Sequence, residues 1–191
     1  ILKRKSENSE LPNVKWVQNE LCISFTKLKS MMYGLENRGY IKKIGAKIWV
    51  KKNEVQIIGN KKIKSVNIKT APYPGFPTDL QAQMMVLLCK ANKNSLISEE
   101  IFENRFMHVA ELNRMGAQIN TNGNKAKIEG NTNFNAAELM ATDLRASVSL
   151  ILAALTSKKK SVINRIYHLD RGYENIEKKL KKVGANIRRI N

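Results

Sequence analysis

Four short segments of this 191-residue chain hold residue types that handle anions and protons. The first is Thr70-Ala71-Pro72-Tyr73-Pro74-Gly75-Phe76-Pro77-Thr78-Asp79-Leu80-Gln81-Ala82-Gln83. The others are Glu103-Asn104-Arg105-Phe106-Met107-His108, Ala141-Thr142-Asp143-Leu144-Arg145-Ala146-Ser147 and Tyr167-His168-Leu169-Asp170-Arg171-Gly172-Tyr173-Glu174. In the first, three prolines and a glycine make a stiff turn that ends at Asp79. Such rigidity aims one carboxylate, and a carboxylate beside an alcohol serves as base or orienter. Arg105, Arg145 and Arg171 are placed at helix starts or loops. A cation at a helix N-terminus opposes the local dipole, which calls for an anion. Arginine forks and helix N-termini both suit phosphates and carboxylates. Taken singly, each arginine has a competing reading as a surface ion pair with Glu103, Asp143 or Asp170. Parallel positions in a repeat favour a shared anion.

That repeat organises the elements. Gly-Ala-X-Ile occurs at Gly45-Ala46-Lys47-Ile48, Gly116-Ala117-Gln118-Ile119 and Gly184-Ala185-Asn186-Ile187. Leu112 and Met115 precede the second copy; Tyr173, Ile176, Leu180 and Val183 precede the third at helical spacing. Glycine just past the last apolar position predicts a helix C-cap, and the Ile segment after it a strand. Thr78-Asp79-Leu80 recurs as Thr142-Asp143-Leu144. Leu80, Met84, Leu87, Leu88 and Ala91 then share their offsets with Leu144, Val148, Ile151, Leu152 and Leu155, which predicts one helix face in each. The threonine predicts an N-cap. Strands are expected over 47–51, 55–59, 65–69, 126–130 and 161–167, with loops at Asn53, Asn60, Asn122-Gly123-Asn124 and Asn131. The pattern is an α/β domain with about three internal repeats. The first is degenerate, since Gly34 and Gly39 interrupt its helix and no Thr-Asp-Leu precedes it. Residues 1–40 form a divergent N-terminal segment, and 41–191 the domain.

Composition narrows the class. Hydrophobic residues make up 42%, ordinary for a globular protein. No run reaches the roughly 18 apolar residues of a membrane span, and no apolar signal segment follows the basic start, so a cytoplasmic location is expected. Cys22 and Cys89 are too few for a disulfide framework, and Cys89, among Leu87, Leu88 and Ala91, reads as a core residue. The net charge of +18 suits a polyanion partner. Yet Lys42, Lys43, Lys178, Lys179, Lys181 and Lys182 fall where helices face solvent, and no aromatic-interleaved basic motif or zinc-finger spacing accompanies them. A basic module binding anions or nucleic acid is the alternative reading, and the weaker one. No metal-ligand cluster is present, and no cofactor is expected.

The four segments, in this order, resemble the C-terminal region of the UDP-N-acetylglucosamine enolpyruvyl transferases (1-carboxyvinyltransferases). The likeness runs from about Gly45 to the C-terminus. The shikimate-pathway enolpyruvyl transferases share the fold, but the runs at 77–83 and 168–174 resemble the UDP-sugar family. The resemblance implies an inside-out α/β barrel of repeated βαβ-type units, with helices buried and sheets outside. It implies transfer of enolpyruvyl from phosphoenolpyruvate to the 3-hydroxyl of UDP-N-acetylglucosamine, for peptidoglycan synthesis. By match of motif, Asp79 is the aspartate that binds the sugar 3-hydroxyl and takes its proton. Ile101 contacts the UDP-sugar through its backbone. Arg105, Arg145 and Arg171 line the cleft, the last on the phosphoenolpyruvate side.

Departures from the family matter equally. Its reactive cysteine lies in a Gly-rich loop that neither Cys22 nor Cys89 reproduces, and its Lys-Asn pair that grips phosphoenolpyruvate is missing here. The chain is expected to be the C-terminal portion of the enzyme, inactive by itself, with an N-terminal half as a possible completing partner. Reuse as a non-catalytic remnant is the other outcome of such a loss.

Overall fold

In the computed structural model, residues 39–50, 55–59 and 62–190 are described. Cys22, Asn53, Asn60, Lys51 and nearly all of the 1–40 segment lie outside them. The chain divides into two compact units, residues 1–61 with 175–191, and 62–174.

The first unit contains α1 (Tyr40–Lys43), then β1 (Lys47–Val50) paired antiparallel with β2 (Val55–Ile58). Helix α6 (Ile176–Lys182) belongs to it as well.

The second unit carries the remaining described elements. After β3 (Ile68–Lys69) the proline-rich turn leads into a 3-10 turn (Thr78–Leu80) and α2 (Gln81–Cys89). Then come β4 (Ser95–Ser98), α3 (His108–Arg114), β5 (Ile119–Asn122) and β6 (Lys125–Ile128). Last are β7 (Glu138–Met140), α4 (Leu144–Thr156), β8 (Val162–Asn164) and α5 (Tyr167–Asp170). One sheet has the order β3-β4-β6-β5, with β3 parallel to β4 and the other pairs antiparallel. Strands β7 and β8 pair in parallel. The helices hold the centre. Helix α4 packs against α2, α3 and α5, and α2 also lies against β4 and β6. Met85, Leu88, Leu150 and Ala153 are wholly buried. Each of the methionine and leucine side chains withdrawn from water contributes about 1.5–3 kcal/mol. In this unit the helices lie inside and the sheets outside, as expected.

The three Gly-Ala copies end three helices alike. Gly45, Gly116 and Gly184 have φ of 92°, 92° and 89°. Each glycine N–H donates to the carbonyl three residues back (Lys42, Asn113, Lys181), and each alanine N–H to the carbonyl five back (Ile41, Leu112, Leu180). This is the Schellman closure, repeated in both units.

Four details correct the sequence reading. The third Gly-Ala copy is not followed by a strand, because a strand exists only where a neighbour completes its ladder, and 185–190 lie in no ladder. The expected strands at 65–69 and 161–167 shrink to β3 and β8, and Tyr167 instead opens α5. The apolar face of α2 is rotated: Ala82, Met85, Val86, Leu88 and Cys89 are its buried apolar residues, while Leu80, Met84 and Leu87 are half-buried. A helix apolar on nearly every side gives periodicity nothing to select. Finally, neither threonine is the N-cap. Asp143 caps α4, its Oδ1 accepting from the Arg145 and Ala146 amides at 2.7 and 3.0 Å. In the other copy no side chain caps the helix start.

Candidate functional site

Asp79 is delivered by the turn that leaves β3. Phe76, wholly buried, anchors this turn, and Ala71 donates to the Phe76 carbonyl at 3.0 Å. Gly75 is required by close approach: a Cβ there would lie 2.4 Å from that of Ala71. The chain is thus folded back on itself just before Asp79, whose side chain is 57% exposed.

Two arginines meet this carboxylate. Arg145 Nε, from the first turn of α4, donates to Asp79 Oδ1 at 3.0 Å, and Arg105 Nη1 reaches the same oxygen at 3.4 Å. The Arg145 hydrogen bond is the main cause holding the Asp79 carboxyl below its usual 3.8, with burial opposing and Arg105 adding a smaller part. Phe102 completes the group, its ring 4.4 Å from the Arg105 guanidinium carbon, a cation–π distance. The competing ion pairs with Glu103 and Asp143 give way to Asp79. Each guanidinium group gives one of its five N–H donors to Asp79, so donors remain on both for an anionic ligand.

Arg171 is exposed at the C-terminal end of α5 and makes no hydrogen bond to this cluster. The next residue does fix its place. Gly172 lies so close to Leu144 that a Cβ would sit 2.9 Å from Leu144 Cδ2. Arg171 is therefore carried to the end of α4 that bears Arg145. Ile101 is half-buried, and its N–H is already committed to Glu99 Oε1 at 3.0 Å.

Two site-supporting residues escaped the sequence reading. Glu99, only 3% exposed, stands in none of the four motif segments. Phe102 lies just before the segment that begins at Glu103. The alternating strand Ser95–Ser98 ending just before Glu99 was the available signal for burial of that position. The Cys89 thiol, wholly buried, is pushed up to about 12 by that burial, so it is a core residue and no nucleophile. Among the described residues no group of three or more His, Cys, Asp or Glu is placed to hold a metal, and no helix is long and apolar enough to cross a membrane.

Comparison with known proteins adds the following. The family model described as EPSP synthase (3-phosphoshikimate 1-carboxyvinyltransferase) matches residues 23–180. The UDP-N-acetylglucosamine 1-carboxyvinyltransferase of Pelagibacter ubique is 81% identical over 151 residues, 79% of this chain and 36% of that protein. The enzyme of the same name from Geotalea daltonii is 61% identical over 146 residues, 76% of this chain and 35% of that protein. The chain thus spans little more than a third of the length of these relatives. Among solved structures, the enolpyruvyl transferase NikO from Streptomyces tendae superposes with a TM-score of 0.77 at 27% identity, covering 84% of this chain and 38% of its own. An EPSP synthase from Acinetobacter baumannii gives 0.51 at 16% identity, over 72% and 32% of the two chains, a likeness of fold alone.

Proposed function

Because the chain belongs to the EPSP synthase family of enolpyruvyl transferases, we propose that it supplies the sugar-nucleotide side of a UDP-N-acetylglucosamine enolpyruvyl transferase site. The reaction would move enolpyruvyl from phosphoenolpyruvate to the sugar 3-hydroxyl, a step of peptidoglycan synthesis in the cytoplasm. The observation that carries this reading is the exposed Asp79 carboxylate held by Arg145 and Arg105. The high identity to relatives bearing that enzyme's name supports the sugar nucleotide over a shikimate-type substrate.

In this reading Asp79 accepts a hydrogen bond from the 3-hydroxyl and takes its proton as the new C–O bond forms. While both arginines hold it, Asp79 is a weak base. Substrate phosphate or carboxylate competing for Arg105 and Arg145 would loosen that hold and raise its basicity. Arg171 serves the phosphoenolpyruvate side, and the Ile101 carbonyl meets the sugar nucleotide. No cofactor is invoked.

These 191 residues alone are proposed to be inactive. The reactive cysteine loop and the Lys-Asn pair of the resembled family are not among them, and Cys89 is too buried to substitute. A separately supplied N-terminal portion of a relative would complete the site. The test measures phosphate released from phosphoenolpyruvate in the presence of UDP-N-acetylglucosamine. We expect none from the chain alone, turnover on adding the N-terminal portion, and loss of that turnover with Asp79→Asn. Turnover by the chain alone overturns the incompleteness, and full activity of Asp79→Asn removes Asp79 from the mechanism.

A further inference from the structure

Glu99 is a buried carboxylate with four donors around it. Its Oε1 accepts from the Thr70 hydroxyl at 2.9 Å, the Ile101 amide at 3.0 Å and the Phe102 amide at 3.2 Å. Its Oε2 accepts from the Thr78 hydroxyl at 2.9 Å. The Thr70 hydroxyl in turn accepts from the Glu100 amide at 2.8 Å. Thr70 begins the proline-rich turn, and Thr78 ends it beside Asp79. Ile101 and Phe102 begin the loop that carries Arg105. The two segments that supply Asp79 and Arg105 are therefore fastened to one side chain, 3% exposed. A buried carboxylate needs its lone pairs satisfied, and here the donors that satisfy it come from the two loops of the site.

We propose that Glu99 is a positioning residue for the Asp79–Arg105–Arg145 cluster, locking both ends of the Asp79 turn and the root of the Arg105 loop. Its consequence for catalysis rests on the reading of Asp79 given above; its consequence for geometry does not. Removing the carboxylate frees the turn to swing, and Asp79 drifts from Arg145. Glutamine keeps one acceptor oxygen for Thr70, Ile101 and Phe102, and its amide can donate to Thr78, whose hydroxyl oxygen also accepts. Thr78→Val cuts only the link beside Asp79 and leaves the buried carboxylate three donors.

The experiment is NMR on the 191-residue chain, following the Asp79 carboxyl titration and the Arg145 Nε–H resonance. Wild type and Glu99→Gln should both show an Asp79 titration depressed below 3.8 and a protected Arg145 Nε–H. In Thr78→Val and Glu99→Ala the titration should rise toward that free value and the Nε–H protection should be lost, with the remaining amide spectrum still dispersed. Should Glu99→Ala fail to fold, Thr78→Val alone decides. A folded Thr78→Val with the wild-type titration and Nε–H signal overturns the proposal. If both signals move while turnover of the completed enzyme stays unchanged, the positioning role stands and the functional reading of Asp79 fails.

Discussion

At the scale of single residues, the two aspartates of the repeated Thr-Asp-Leu divide their labour. Asp143 faces inward along the chain and satisfies two amides of the α4 first turn. Asp79 is turned outward to two arginines. Asp143→Ala should therefore cost about 1 kcal/mol of stability, the usual loss of a capping side chain. Asp79→Asn should cost less than about 1 kcal/mol at pH 7, since the pair is largely exposed. The Asp79 pair is present in full above its unfolded pKa and is lost as pH falls through its lowered folded value, so that variant and the parent converge in acid. Urea unfolding at pH 7 and near pH 3 measures both. His108 works in the other direction. It is 2% exposed with a buried Nε2 that has no partner, and burial brings its pKa down from 6.5 to about 4, with the Asp143 charge opposing part of the shift. Between those values the unfolded chain binds a proton that the folded chain does not. Stability must then fall as pH drops through that window, by up to roughly 1.4 kcal/mol per pH unit. His108→Gln should flatten this slope in unfolding midpoints taken at pH 7.5 and pH 5. An unchanged slope would show that His108 is not the group titrating.

At the scale of elements, what the sequence disclosed was what local chemistry decides. The glycine C-caps at Gly45, Gly116 and Gly184 were legible because one residue in the left-handed region closes the turn behind it. The turn before Asp79 was legible in its three prolines and glycine. The Glu99 links were not, because Thr70 and Thr78 lie 29 and 21 residues from it in sequence and only the fold unites them. The missing third strand fails for a related reason, since no neighbouring segment pairs with 185–190 and the segment's own residues do not reveal that. Close packing is likewise invisible until the elements meet. Gly130 follows β6, and a Cβ there would lie 2.3 Å from the Ala91 carbonyl oxygen and 2.6 Å from that of Lys93. Both are backbone atoms of the turn between α2 and β4, and neither can swing aside as a side chain does. Gly130→Ala should destabilise the chain by about 1–3 kcal/mol or more through overpacking. Gly172→Ala, whose three nearest atoms all belong to the Leu144 side chain, should cost less. Thermal denaturation of the two variants ranks them, and equal losses would refute the distinction.

At the scale of the molecule, the second unit reverses the common order of an α/β protein, with its longest helix innermost. The sequence hinted at this in the segment 144–155, where apolar and small residues surround the helix. Helix α4 buries an unbroken run from Ala146 to Ile151, Ser147 and Ser149 included. Ser149 remains satisfied there because its hydroxyl donates to the Ala146 carbonyl at 2.7 Å. Since α2, α3 and α5 all pack on this helix, it cannot open without undoing the core of the unit. The β7–β8 pair is a two-strand ladder of three residues a side, with Glu138 and Met140 exposed. Its opening breaks far fewer buried contacts. Hydrogen exchange should therefore place the amides of Leu150–Ala153 in α4 among the slowest of the second unit, and those of β7 and β8 among the faster. The same helix carries Arg145 in its first turn, so a rigid core and a rigid cluster would share one cause. Exchange of the α4 amides as fast as those of β7 would mean that the inner helix frays independently. The Arg145–Asp79 geometry would then owe its order to the loops and Glu99 alone.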